Sequence, residues 1–398
     1  MKNKIFKIVG KVQHYAWGGF NYIPQLLNID NSEHKTYAEY WLGSHPSASS
    51  VLLTEEGPKS WAEQISLHPE FHLGSEVFKR FGELPFLLKV LDVREMLSIQ
   101  VHPSKEGAEI GFDEEEAIGV PINAPYRNYK DRNHKPEMMI ALDEFWLLHG
   151  FRKEADITNV LETVEEFESL KSVFKTEGYF GLYKTVMEMP QKAVDELLLP
   201  LVKRELTITS AKNEPTYWVN KLYSGQLPSG NIDKGLFSIY FFNIVKLNKG
   251  EGIFQGAGLP HAYLEGQNIE LMANSDNVLR GGLTPKHIDV NELLKHIDFI
   301  GIEPEILEGK QLPDGAVNFT MNVEDFAICV LPFSKGDVYT SESNSTEVFL
   351  VMKGEVCCKD INCKKGEAFA ILADTPYVIT FVDDSIVYKA FIPLVIKR

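Results

Sequence analysis

The sequence predicts a mainly β protein interrupted by an all-helical insertion, and three observations carry that expectation. Short alternating apolar runs broken by glycine, proline and serine reach to about Arg152. From Glu154 to about Leu222 the apolar residues instead recur at helical spacing. Strands resume near Leu236 and continue to the end. A chain of 398 residues is too long for one ordinary core. The expected division is a first β domain from 1–152 and 226–303, a helical domain over 153–225, and a C-terminal β domain over 304–398.

In the first segment "KIFKIVG", "YAEYWLG", "SSVLLTE", "MLSIQVH", "PEMMIAL" and "FWLLHGF" read as strands, with helical pieces at "SWAEQISLHPEF" and "GSEVFKRFG". "FDEEEA", Phe112 to Ala117, reads as a solvated acidic turn or helix start. In the insertion "ADITNVLETVEEFESLKSVF" presents Ile157, Val160, Leu161, Val164, Phe167 and Leu170 on one helical face. "MPQKAVDELLLPLVKREL" follows, with Pro200 expected to kink or break it, then "TYWVNKLYSG". Beyond it "LFSIYFFNIVKL", "EGIFQ", "HAYLEG" and "NIELMAN" read as strands and "DVNELLKHI" as a helix. After Pro304 come "FAICVLPF", "STEVFLVMKGEVCCK", "EAFAILA" and "YVITFVDDSIVYKAFIPLVI", a β-sandwich or barrel.

One device occurs twice. "KGEGIFQGAGLPHAY" begins at Lys249 and "KGEAFAILADTPYVI" at Lys365. His261 lies eleven residues after Gly250, and Tyr377 eleven after Gly366. The C-terminal domain therefore reads as a relative of the first, lacking its metal-capable histidine.

Composition narrows the function. Hydrophobic content of 44% and charged content of 24% suit a globular protein. A formal net charge of -16 with no basic tract argues against nucleic acid or an anionic membrane as partner. An anionic small molecule would need a local basic cluster. The start, "MKNKIFKIVGKVQHYAWGG", carries no secretory signal, and the longest apolar runs are far short of a membrane span. A cytoplasmic, monomeric protein is expected, with Cys329, Cys357, Cys358 and Cys363 as reduced thiols.

Three segments carry candidate ligands. In "MLSIQVHPSKEGAE", Gln100 and His102 stand two apart, so a strand would aim both to one face. "NHKPEMMIAL" offers His134 and Glu137, and "GLPHAYLEG" offers His261 after a glycine-rich turn. Two imidazoles, a carboxylate and an amide suit Zn²⁺ with an open position, and would also accept Fe²⁺, Mn²⁺ or Co²⁺.

The stretches "SIQVHPSKEGAEIGF", "NYKDRNHKPEMMIAL", "LHGFR" and "GLPHAYLEGQNIELMANSDNVLRGGLTPKHIDV", with "YAWGG" and "YAEYWLGSHPS" before them, resemble the type I mannose-6-phosphate isomerases of the cupin superfamily. The resemblance runs in order from about residue 12 to about 290. It implies a cupin-type, jelly-roll β-barrel as the catalytic domain, and a C-terminal cupin-like domain without a metal site. It implies one Zn²⁺ per chain held by Gln100, His102, Glu137 and His261, and an essential Arg280 in "NVLRGGLTPK". Around the sugar-phosphate pocket it places Trp17, Ser98, His134, Lys135, Glu270, Asp276 and Lys286. Gly256 stands where many cupins have proline, and Arg132 where proline would be expected. Neither removes a ligand.

The implied reaction interconverts D-mannose 6-phosphate and D-fructose 6-phosphate through an enediol or enediolate. A metal polarises the carbonyl, an acid/base moves the carbon-bound proton, and cations hold the phosphate. Arg280 and Lys286 fit the last task. Lys135, His134, Glu270 and Asp276 each fit the second, and the sequence does not choose among them. Other readings are an isomerase of another phosphosugar and a non-catalytic cupin that binds a sugar or stores metal. An iron dioxygenase is disfavoured by the extra Gln100.

Overall fold

The structure is a computed structural model that describes residues 3–393. The end of the last predicted strand run, 394–396, lies outside the described residues. Two β-barrels stand back to back, each built from a large sheet and a small one. In the first, the large sheet runs in the order Leu307–Glu308, Glu251–Gln255, Glu137–Ala141, His261–Ala273, Phe86–Val93, Glu39–Leu42, Lys11–Gln13. Phe242–Leu247, Phe145–Phe151, Gln100–Val101 and Leu279–Arg280 close the other side.

"HAYLEG" and "NIELMAN" are one strand rather than two. Its C-terminal part pairs with Phe86–Val93 and Glu137–Ala141, and its start with Phe145–Phe151 and Gln100. The register shifts between Tyr263 and Glu265. Gly266 follows at φ 128, where an added Cβ would stand 2.6 Å from the Phe145 ring. This bend lets one strand serve both walls.

Strand alternation separates two cores. Leu91, Val93, Met139, Phe145 and Ile253 cluster inside the first barrel. Their neighbours Leu88, Val90, Met138, Ile140, Ile269 and Leu271 face outward. There they pack on Ile8, Val348, Leu350, Ala368, Ala370 and Ala390 from the second barrel's large sheet. Burial on both faces explains the unbroken apolar run in "FLLKVLDV", all eight residues of which are buried.

The expected division at 304 is corrected by strand exchange. Ile5–Val9 pairs with Ala368–Ile371 of the second barrel and with Val51–Thr54, which pairs in turn with Gly57–Ser60. Leu307–Glu308 pairs back with Glu251–Gly252 of the first. Each barrel thus covers an edge of the other. The small sheet of the second barrel comprises Val338–Ser343, Thr375–Phe381, Glu355–Cys358 and Ile361–Lys364.

Residues 154–222 carry helices whose bounds differ in detail from the sequence expectation. "ADITNVLETVEEFESLKSVF" breaks into an α-helix Glu154–Thr163, a 3₁₀ turn Glu165–Leu170 and the start of Lys171–Glu188. The last bends at Gly178, whose φ is 63. Gln191–Glu205 runs through Pro200 as one helix, and Pro215–Leu222 follows. "LFSIYFF" is not strand: Gly235–Phe241 is a helix buried all round, and the strand starts only at Phe242. A run that is apolar on every side has no period to read. "FDEEEA" is the end of the helix Lys105–Ala117, which Ser104 caps by accepting from the Gly107 N–H at 3.1 Å. Glu115 there accepts from the Asn128 and Tyr129 backbone N–H groups, both at 2.9 Å, so it braces a loop as well as meeting solvent.

Among the described residues no helix is long and apolar enough to cross a membrane, and the four cysteines form no disulfide. If the exchanged strand holds the barrels together, Ile8→Ala, at a position 2% exposed, should cost about 2–4 kcal/mol in urea unfolding. An unchanged midpoint would show that the exchange contributes little.

Candidate metal centre

Four segments converge at one end of the first barrel. The short strand Gln100–Val101 lies between two others, with Gln100 opposite both His261 and Arg280. Glu137 enters from the large sheet, opposite Gln255. Ligand atoms of His102, Glu137 and His261 all lie within 4.8 Å of one another, and all three residues are buried. His102 Nε2 is 3.3 Å from Glu137 Oε1, and His261 Nε2 is 3.3 Å from Glu137 Oε2. Gln100 is half-buried and lines the adjoining pocket.

Both imidazoles are oriented by the backbone. His102 Nδ1–H donates to the Asn277 carbonyl at 2.8 Å, and His261 Nδ1–H to the Leu259 carbonyl at 2.9 Å. The proton on Nδ1 leaves each Nε2 lone pair free toward the carboxylate, the arrangement a metal-binding histidine needs. His102 Nε2 is fully buried with no hydrogen bond. An orphan nitrogen of that kind, facing a second imidazole and a carboxylate, fits a divalent cation with mixed N/O ligands.

Charge agrees with geometry. Burial, reinforced by Lys135, lowers His102 to about 4, so the ring is neutral. Burial alone would raise Glu137, but Lys135 and His102 hold it well below the usual carboxylate range. Lys135 Nζ stands 3.0 Å from Glu137 Oε1, because residues two apart in extended chain share a face.

The same alternation corrects the placement of His134. It points the other way, where its Nε2 is 2.9 Å from Asp325 Oδ2. It lines a separate cavity of about 750 Å³ with Pro136, Arg80 and Glu324. It is not brought to the metal centre.

The pocket beside the centre has a volume of about 650 Å³ and is lined by Trp17, Ser98, Lys135, Asp276, Arg280 and Lys286, with Gln100 at its inner end. Trp17 stacks on Tyr15 with ring centroids 5.9 Å apart. Asp276 pairs with His45 at 3.4 Å, not with Arg280. Arg280 makes no side-chain hydrogen bond or ion pair among the described residues, and its buried Nε is unsatisfied. Burial lowers the Arg280 pKa, and burial followed by Arg280 lowers that of Lys286. Two unneutralised cations at one mouth are poised for an anion.

Glu270 sits deeper, in a chamber of about 60 Å³ shared with Lys89, Tyr263 and Glu137. Lys89 Nζ and the Tyr263 hydroxyl each donate to its carboxylate at 2.9 Å. Burial, with Glu137 and Glu39 adding to it, raises its pKa against the pull of Lys89. Sequence reading overlooked Lys89, Glu39, Tyr263 and His45. Lys89 had left a signal, as a cation in the middle of "FLLKVLDV".

Asn277 was also missed. Fully buried, it accepts from the Lys130 N–H at 2.7 Å and donates to the Asp131 and Asn133 carbonyls, both at 2.8 Å. It thereby ties the loop that leads to Lys135 and Glu137 to the carbonyl that orients His102.

Comparison with known proteins places the chain. Residues 5–154 match the family described as phosphomannose isomerase type I, catalytic domain. Mannose-6-phosphate isomerase of Salmonella typhimurium is 38% identical over 380 residues, 92% of this chain and 95% of that protein. The human enzyme of the same name is 37% identical over 322 residues, 74% of this chain and 73% of that one. A zinc-bound mannose 6-phosphate isomerase structure superposes with TM-score 0.87 at 34% identity, covering 98% of this chain and all of that one (100%).

Two outcomes check the centre. Asn277→Ala should weaken divalent-metal affinity about 10–100-fold by competition with a chelator; unchanged affinity would leave Asn277 without a positioning role. Burial, then His261, lowers His149 to about 4, as burial and Lys135 do for His102, from 6.5. The unfolded chain therefore binds protons first, so stability of the metal-free chain rises with pH from about 4 to 6.5 and falls on acidification through that window. Melting temperatures at pH 5 and 7 read it, and a flat profile would mean that the rings are charged in the fold.

Proposed function

Since the chain belongs to the type I phosphomannose isomerase family, we propose that it interconverts D-mannose 6-phosphate and D-fructose 6-phosphate at this centre, with one Zn²⁺ per chain. The observation that carries the reading is the oriented His102, Glu137 and His261 set opening onto a pocket with two free cations. Gln100, His102, Glu137 and His261 would hold the ion. Bound there, zinc supplies the polarisation of the sugar carbonyl and of the oxyanion that develops from it.

The rest falls to the chain's own side chains. Arg280 and Lys286 receive the phosphate at the pocket mouth, so binding energy at the remote end orients C1 and C2. Trp17 and Ser98 wall the sugar. Lys135 stays paired with Glu137 and keeps that carboxylate ionised. Among the carboxylates, burial favours Glu270 for moving the carbon-bound proton between C2 and C1. Its raised pKa brings it nearer the working pH, and Lys89 and Tyr263 fix its position. Asp276, lowered despite partial burial by its His45 partner, stays ionised at the rim. A non-catalytic binding protein has less support, because it needs neither Glu270 nor the anion-receiving pair.

Chelator treatment should abolish isomerisation of mannose 6-phosphate and added Zn²⁺ should restore it. Persistent inactivity of the folded, reloaded protein would sink the assignment. Arg280→Ala should lower kcat/KM about 10²–10³-fold. Glu270→Gln should lower kcat about 10²–10⁴-fold and abolish deuterium uptake from solvent at C2. Retained exchange in Glu270→Gln would return the proton transfer to Lys135 or Asp276.

A further inference from the structure

The second barrel contains a buried charged cluster that the reaction does not use. Lys389 Nζ is 2.8 Å from Glu347 Oε1 and donates to the Tyr377 hydroxyl at 2.9 Å, while that hydroxyl donates to Glu347 Oε2 at 2.6 Å. The three residues are 5%, 4% and 4% exposed. Strand registers show where in the barrel they stand. The large sheets share one order: Ala368–Ile371, Glu347–Lys353, Ser385–Phe391 and Ala327–Phe333 correspond to Glu251–Gln255, Glu137–Ala141, His261–Ala273 and Phe86–Val93. The offset that carries Lys249 onto Lys365 carries His261 onto Tyr377 and Gln255 onto Ile371. Glu137 lies opposite Gln255, and Glu347 opposite Ile371. Gln100 lies opposite His261, and Ser341 opposite Tyr377. Two residues further on, His102 corresponds to Ser343. Glu270 lies opposite Met139, and Lys389 opposite Phe349, each two residues past its glutamate.

We propose that the second barrel holds a copy of the four ligand positions, Ser341, Ser343, Glu347 and Tyr377, in which the Lys389 ammonium is the resident cation. The carboxylate alone of the four ligands persists. A buried carboxylate needs a positive partner, and with both imidazoles replaced, an ammonium carried by the neighbouring strand meets that need. The surroundings suit a cation further: Lys389 Nζ lies 5.7, 5.8, 5.6 and 5.0 Å from the ring centroids of Tyr339, Phe349, Tyr377 and Phe391. The built-in charge occupies the position and excludes a divalent ion, which leaves the first barrel as the only loaded one. The correspondence rests on the ligand set assigned to the first barrel.

The test restores the lost ligands in the full-length chain. Ser343→His, Tyr377→His and Lys389→Ala together should bind one more Zn²⁺ than the wild type, counted by elemental analysis after dialysis, and further Glu347→Gln should remove it. The difference between the two proteins reads the second barrel, so failure of the metal assignment in the first would appear in the wild type alone. Retained isomerase activity reports that the variant folds. A folded variant with no additional ion overturns the proposal. Should the variant not fold, Lys389→Met and Lys389→Met with Glu347→Gln decide the matter. The first should lower the melting temperature and the second should recover most of the loss. No recovery would mean that Lys389 does not serve as the cation of Glu347.

Discussion

A carboxylate inside a β-barrel has to be given a positive partner, and much of this structure follows from that need. Glu137 is 3% exposed, and leaving it ionised without compensation would cost several kcal/mol. Lys135 supplies part of the compensation from the same strand face, and the two imidazoles, pinned through Nδ1 to backbone carbonyls, turn their Nε2 atoms toward it. That combination, a fixed anion facing two lone pairs, is unfavourable without a cation and favourable with one. Metal affinity and the instability of the bare site are therefore two sides of one arrangement.

Positioning of these groups depends on the way the barrels are joined. Because each lends a strand to the other's sheet, and because Leu88, Val90, Met138 and Ile140 pack directly on the second barrel, the strands that carry Lys89 and Glu137 are held on both faces. Side chains on such strands have little freedom to relax away from the metal position. The ligand set also needs the turn at Gly266, which carries one strand from the wall bearing Glu270 to the wall bearing His261. Without the bend, the deep carboxyl and the shallow imidazole would belong to separate elements.

Local rules made some of this visible in the sequence and hid the rest. The spacing of Gln100 and His102, and of Lys135 and Glu137, is strand alternation, which is legible without a structure. Applied one residue earlier, the same rule sends His134 to the opposite face, where Asp325 meets it. Lys89 is legible as an anomaly in an apolar run, but its partner Glu270, which also accepts from Tyr263, lies far along the chain, and only the pairing register joins them. The N-terminal strand looked like the first strand of the first domain, because its partner, Ala368–Ile371, is nearly the whole chain away. Gly235–Phe241 failed for another reason: uniform burial removes the polar face that distinguishes helix from strand.

Charge distribution reconciles an acidic chain with a site suited to an anion. The formal net charge of -16 opposes the approach of a phosphosugar at long range, but screening at physiological salt confines that field to about 8 Å. Within that distance the local pairing pattern decides. Lys89 and Lys135 are already matched by Glu270 and Glu137, and Asp276 by His45. Arg280 and Lys286 are left uncompensated in a partly desolvated mouth, where burial lowers the pKa of both and Arg280 lowers that of Lys286 further, so an added anion is favoured there. The inner end of the pocket is balanced except for the metal position, and the outer end lacks an anion. A ligand with an anionic group at one end and a metal-seeking oxygen at the other would have its two ends distinguished by what each end of the pocket lacks.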